Sequence, residues 1–351
     1  MSEHAQPADR YVVLDAPRPR LRDILLRWEV ILLGLLALTI LVNTMVSPYF
    51  LDVFNLADAT FNFSEKAIIA LAMASLILVR EIDLSVAAIV ALAAMGVGYA
   101  AEAGFPPIAL FATGIGIGLL CGVFNGVLVT FFGLPSIVVT IGTMSLFRGI
   151  TQVILGDQAK RKFPPEFLDL GQSYFIKMKE TGISWIFLPP VPLSFLIFLV
   201  LAVLFGIVLH KTAVGRQLFA MGSNPVAARF SGVPANRLRL ILFAVSGVLC
   251  GLAAVLLTAR LGSVRSNIAI GWELDIVTMV ILGGVSIAGG VGSIVGVFLA
   301  VLVLGLLTFG MALNNIPGQV VSVYVGALLI TVIAIPRIVE RIRPLRHTGQ
   351  A

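Results

Sequence analysis

The sequence predicts an all-α fold, a polytopic transmembrane helical bundle of about ten spans with both termini cytoplasmic. Three observations carry this. The 351 residues are 59% hydrophobic and only 12% charged, where a soluble domain carries about a quarter charged residues. Apolar runs such as 28–46 and 291–309 approach the roughly 20 residues that a helix needs to cross the hydrocarbon core. These runs are continuous rather than alternating, which favours helices over a barrel. The 34 glycines fit, because small residues let membrane helices approach closely.

The elements follow in order. Residues 1–27 form a polar tail of mixed charge with Pro17 and Pro19, lacking the short apolar region and cleavage site of a secretory signal. Arg18, Arg20, Arg22 and Arg27 favour its retention inside. The transmembrane domain, 28–336, has spans near 28–46, 65–79, 84–101, 108–132, 136–155, 193–209, 238–259, 274–288, 294–311 and 320–336. Residues 337–351 form a basic tail. The second span looks short, with 55–63 as a half-polar approach to it. Gly283-Gly284 and Gly289-Gly290 break the region around the eighth. Short, glycine-broken helices often line cavities, and their presence in both halves hints at an internal repeat.

Charge sets the sidedness. Arg80, the stretch after His210 and the tail Arg337, Arg341, Arg343 and Arg346 fall inside, whereas Asp52, Asp58, Glu102, Asp157, Glu166 and Asp169 fall outside. Lys160, Arg161, Lys162, Lys177 and Lys179 argue the other way, but they lie in a long outer loop, 156–190, where the charge rule is weakest. That loop, with Pro164-Pro165, Pro189-Pro190, Trp185 and Phe187, is too polar and broken to span. It is either a surface for a partner or an irregular connector with an interfacial anchor. The net charge of +6 needs no nucleic acid, since span-flanking cations account for it.

Few residues can carry chemistry. Arg80-Glu81-Ile82-Asp83 sets three charges between apolar runs. They form either a gate latch or a paired structural turn, with Asp83 capping the helix that opens at Leu84. Glu273 and Asp275 suit a helix start. Arg148 lies inside the fifth span, where a charge must be paired or face water. Asn62, Asn125 and Gln152 can hydrogen-bond a polar solute or bridge helices. Cys121 and Cys250 lie in apolar spans and read as small buried hydrophobes. None of the six lysines follows a glycine, so no phosphate-binding P-loop is present. His4, His210 and His347 have no metal-ligand spacing, and no catalytic set can be assembled.

The cytoplasmic loop 210–237 stands out as a polar, arginine- and glycine-rich island between long apolar runs. Asn224-Pro225 suits a helix start, with Asn as cap and Pro at the first position. With Ile82-Asp83-Leu84-Ser85-Val86, Thr140-Ile141-Gly142-Thr143-Met144, Arg148-Gly149, Val214-Gly215-Arg216, Ala220-Met221-Gly222-Ser223-Asn224, Ala227-Ala228, Glu273-Leu274-Asp275, Leu282-Gly283-Gly284-Val285-Ser286 and Gly289-Gly290, the chain resembles permease subunits of bacterial carbohydrate ABC importers. The ribose/xylose/rhamnose-type branch is the nearest. These matches spread over about 64–336 and are specific only together.

The resemblance implies a type II importer-like permease in the bacterial inner membrane. Its coupling element would be 214–232, with Gly215, Arg216, Gly222, Asn224, Pro225, Ala228, Arg229 and Gly232. It also implies a separate ATP-binding subunit carrying ATP and Mg, a periplasmic sugar-binding protein, and a second permease chain, identical or paralogous. No cofactor is implied in this chain. Candidate pathway or gate residues are Asn62, Arg80, Asp83, Asn125, Arg148, Gln152, Glu273 and Asp275. The look is closest to rhamnose-type permeases, with autoinducer-2-type importers next and an ion-coupled secondary transporter as a different class. Many members carry a Gly pair before Ile-Asp-Leu-Ser, where this chain has Arg80-Glu81.

Overall fold

Each of the ten expected spans corresponds to one helix in the computed structural model, which describes residues 27–173 and 191–342, the last eight by backbone alone. The helices are α1 (Trp28–Val46), α2 (Val53–Leu78), α3 (Val86–Glu102), α4 (Pro107–Thr130), α5 (Ser136–Leu155), α6 (Pro165–Gln172), α7 (Leu193–Lys211), α8 (Ala213–Ser223), α9 (Pro225–Phe230), α10 (Ala235–Leu261), α11 (Trp272–Leu282), α12 (Ile294–Leu313) and α13 (Gly318–Ile342). Seven are long and apolar enough to cross a membrane, and α3 and the first part of α13 are shorter apolar helices.

Two spans depart from expectation. The 55–63 stretch is no separate approach, because α2 runs unbroken for 26 residues. Asp52 starts it, accepting from the backbone N–H groups of Phe54 (2.9 Å) and Asn55 (3.4 Å), so the half-polar segment is the first turns of a capped helix. The eighth span contracts to the 11-residue α11, about 16 Å long and so about half the ~30 Å hydrocarbon core. Irregular backbone at 262–271 and 283–293 completes that crossing.

Helix α2 forms the centre, buried along almost its whole length and packed by α7, α10, α11 and α12. By contrast, α1 and α7 turn Leu33, Leu38, Leu41, Val200, Val203 and Leu204 outward. The tightest pairing joins α4 to α10. Gly114, Gly118 and Gly122 on one face of α4 meet Gly247 and Gly251 of α10, and a Cβ on Gly118 would lie 2.2 Å from the Gly247 carbonyl oxygen. Four-residue spacing of small residues on both helices lets the backbones touch, a standard device of membrane helix packing. Cys121 and Cys250, on the same two helices, are buried free thiols.

The helix ends sort by charge. Trp28 Nε1 donates to the Leu282 carbonyl (2.8 Å), and His210 Nε2 accepts from the Ile294 N–H (3.4 Å). These contacts gather the ends near Arg80, Lys211, Arg216 and Arg229 into one basic end. Asp52, Glu102 and Asp157 lie at the opposite, acidic end. Here the contrary cation Lys160 is explained. It pairs with Glu102 (2.7 Å), sits 4.2 Å above the Tyr99 ring and bridges its backbone to Val264. The hydrogen bond to Glu102 holds its ammonium above the usual lysine value. The described part of loop 156–190 is more ordered than an irregular connector. Its helix α6 buries Phe167 completely and lays Gly171 on the backbone of Ala259. Arg18, Arg20, Arg22, Lys177, Lys179, Trp185, Phe187, Pro189-Pro190, Arg343 and Arg346, and the side chains of Arg337 and Arg341, lie outside the described residues.

Candidate functional site

The polar island after His210 folds as two short helices rather than one. Thr212 caps α8 by accepting from the Gly215 N–H (3.4 Å). Asn224 ends α8 and caps α9, accepting from the N–H groups of Val226 (3.1 Å) and Ala227 (3.0 Å), with Pro225 at the first position. Gly232, at φ 79, closes the element. The sequence marks the Asn224-Pro225 start; α8 escaped notice because its cap, Thr212, lies directly after the long apolar α7.

Two faces result. Gly215, Leu218, Met221, Gly222 and Ala228 are buried, and Arg216, Asn224, Arg229 and Gly232 are exposed. Gly222 makes a close backbone approach: a Cβ there would lie 2.0 Å from the Leu78 carbonyl oxygen and 2.3 Å from the Gly290 nitrogen. The Gly290 N–H itself donates to the Leu78 carbonyl (2.9 Å). The end of α8 is thus wedged where the α2–α3 and α11–α12 connections meet. Facing away from the bundle, Val226 and Phe230 stand one turn apart on α9, with Phe230 90% exposed. A bare aromatic beside Arg229 at the end of a polar element is the composition of an interface anchor.

Arg80 fastens this joint. It is exposed, and its guanidinium donates to the carbonyls of Gly222 (Nε, 2.7 Å) and Ser223 (Nη2, 2.9 Å), not to the neighbouring carboxylates. Its φ of 67 lies in the left-handed region, which costs a residue with a Cβ about 1–2 kcal/mol. A glycine would adopt this conformation freely, and in this chain the strain is offset by two charge-assisted bonds. Glu81 instead pairs with Arg239, 2.9 Å from its Nε.

Asp83 is fully buried and, among the described residues, pairs with no cation. It accepts from the Ser85 N–H (3.0 Å) and hydroxyl (2.6 Å) and from Ser246 (3.4 Å), while Asn125 donates to Ser85 (2.8 Å). The expected helix opening at Leu84 moves to Val86, because Asp83 closes a turn on Ser85 first. Asp83 and Asn125 together tie α3, α4 and α10.

A third cluster sits at mid-depth. Lys66 lies about 18 Å along α2 from Leu78, and its Nζ is 2.5 Å from Asp275 Oδ2 and 5.4 Å from the Trp272 ring centre. Beside it Glu65, 0% exposed, accepts from Arg260 Nε (2.8 Å), and Arg260 Nη1 reaches Asn62 Oδ1 (3.4 Å). Arg148 pins the irregular 262–271 segment to α3, donating to the carbonyls of Ile268 (2.7 Å), Ala87 (3.2 Å) and Ser266 (3.3 Å), with the Glu273 charge near it. Both acidic residues fall in the first turn of α11, the helix start that the sequence suits them to, while Gly271 occupies the cap position; Asp275 also pairs with Lys66.

Of the pathway candidates, Asn62, Asp275, Arg148 and Glu273 gather around this cluster. Arg80, Asp83 and Asn125 lie at the basic end, and Gln152 is exposed on α5, joined to neither group. The sequence does not single out Glu65, Lys66 and Arg260, although their charges stand inside or beside apolar runs. Glu65 opens the expected second span, and only the extension of α2 to Val53 places it mid-helix.

Comparison with known proteins agrees with this architecture. Residues 55–333 match a family described as branched-chain amino acid transport system / permease component. The autoinducer 2 import system permease protein LsrD of Escherichia coli strain K12 is 35% identical over 313 residues, covering 87% of this chain and 91% of that protein. LsrD of Shigella flexneri gives the same figures, and that of Escherichia coli O157:H7 is 34% identical over the same span. No solved structure matches.

Proposed function

The chain belongs to this transport-permease family, and from that membership we propose that it is the membrane subunit of an ATP-driven importer moving a monosaccharide-like solute across the bacterial inner membrane. It is a transporter component rather than an enzyme. The basic end is the cytoplasmic one, in keeping with the distribution of cations. There α8 and α9 receive a separate ATP-binding subunit, which supplies ATP and Mg, and Phe230, Val226, Arg216 and Arg229 form the contact. At the acidic end a periplasmic binding protein delivers the solute to a pore completed by a second permease chain.

The observation that carries this reading is the wedge of Gly222 between Leu78 and Gly290. Movement of α8 is transmitted, backbone against backbone, to α2 and to the α11–α12 connection. Lys66 stands on α2 and Asp275 on α11, the helix that leads into that connection, so we read their ion pair as a gate. Similarity to LsrD supports the autoinducer-2-type substrate ahead of rhamnose, because those relatives are named for that cargo.

Uptake into proteoliposomes holding the permease, its ATP-binding subunit and its binding protein tests the reading, with autoinducer-2 and L-rhamnose supplied separately. Accumulation that requires internal ATP is expected; accumulation without ATP or partners would refute an ATP-driven importer. In the same assay Arg80→Gly and Arg80→Ala should each lower uptake about fivefold or more, as loss of a coupling contact does. Arg80→Gly should melt like the wild type, since glycine adopts φ 67 freely. Arg80→Ala should lose about 1–3 kcal/mol, because it keeps the strain and loses both bonds.

A further inference from the structure

Irregular backbone at membrane depth is tolerated where it is packed in protein or lines a water-filled cavity, and the 262–271 segment does line one. Between it, α2 and the end of α10 lies a cavity of about 410 Å³ bounded by Asn62, Lys66, Arg260, Ser263, Arg265, Asn267 and Trp272. That volume lies in the range of small-molecule sites, roughly 300–1,000 Å³. Asn62 and Lys66 also line a much smaller neighbouring cavity, whose wall holds Asp275, the partner of Lys66, with Thr308 and Val325.

We propose that this cavity is a solute-binding station within the permease, taking one neutral, polyhydroxylated ring of monosaccharide size. The proposal rests on the importer reading and deepens it. Two of the three cations on the wall are already neutralised, Lys66 by Asp275 and Arg260 by Glu65. A multiply charged anion therefore finds only Arg265 uncompensated. Ser263, Arg265 and Asn267 make no side-chain hydrogen bond among the described residues, so donors and an acceptor are available to hydroxyl groups at the rim. Trp272 supplies a half-buried apolar face against which the C–H side of a sugar ring can lie. Arg148 positions the station without reaching into it, since its guanidinium is spent on the carbonyls of the lining segment.

Asn267→Cys in the assembled, reconstituted importer gives the test. The native thiols Cys121 and Cys250 are buried, so a water-soluble maleimide reports on position 267, with the unmodified chain as blank. Autoinducer-2, L-rhamnose or D-ribose should slow labelling at least threefold in a saturable manner, and Trp272→Leu or Arg265→Ala in the same chain should raise the half-protecting concentration about tenfold, or about 1.4 kcal/mol. If none of the three protects, or only a sugar phosphate does, the station as described is refuted. Failure of the importer reading shows elsewhere, as wild-type vesicles that accumulate none of these solutes with ATP and partners present.

Discussion

Replacing Arg260 with alanine should destabilise the permease by about 3–5 kcal/mol, the usual cost of removing one partner from a buried ion pair. Glu65 is 0% exposed, its Oε1 is held by Arg260, and its Oε2 has no partner among the described residues. Without the guanidinium the carboxylate is left with no counter-charge beyond the already committed Lys66. Thermal unfolding of the detergent-solubilised chain checks this. Adding Glu65→Gln to Arg260→Ala should recover most of the loss, because an uncharged amide needs no counter-ion. An unrecovered loss would assign the cost to packing of the arginine stem instead.

Gly118→Leu should have a comparable or larger effect. The first added carbon alone would sit 2.2 Å from the Gly247 carbonyl oxygen and 2.8 Å from the Gly251 backbone. No rotamer relieves a clash at Cβ, so α4 and α10 must separate. Overpacking costs about 1–3 kcal/mol where side chains can yield, and more where backbone must move. The expected result is failure of the variant to accumulate as folded protein. Gly142→Leu, at a site with open space around its Cβ, should accumulate normally. Equal yields of the two would contradict the close α4–α10 contact.

The spans were legible because apolar runs of membrane length have few alternatives. The α9 start was legible because Asn-Pro carries both its cap and its first turn. Half-helix α11 was less so. Its apolar sequence continues through Gly283 to Ala288, and hydropathy alone does not distinguish a helix from an irregular strand of equally apolar residues. Glycines at four-residue spacing from 114 to 126 are visible in the chain, but their partners at 247 and 251 are set by tertiary packing. The ion pairs were hidden for the same reason. Lys66 and Asp275 are far apart in sequence, and each alone looks like a span-end charge. Arg148 was correctly singled out as a charge needing partners, yet those partners are three backbone carbonyls, which sequence does not reveal.

We propose that α8 and α9 form the seat of the ATP-binding subunit. The affinity of the solubilised permease for that subunit, measured for the wild type and for Phe230→Asp, decides this. Phe230 is 90% exposed and supports nothing in the bundle, so the variant should melt with the wild type. Binding weaker by about tenfold or more, about 1.4 kcal/mol, is the expected result. Unchanged affinity in a fully folded variant would contradict it and place the drive to transport elsewhere on the molecule.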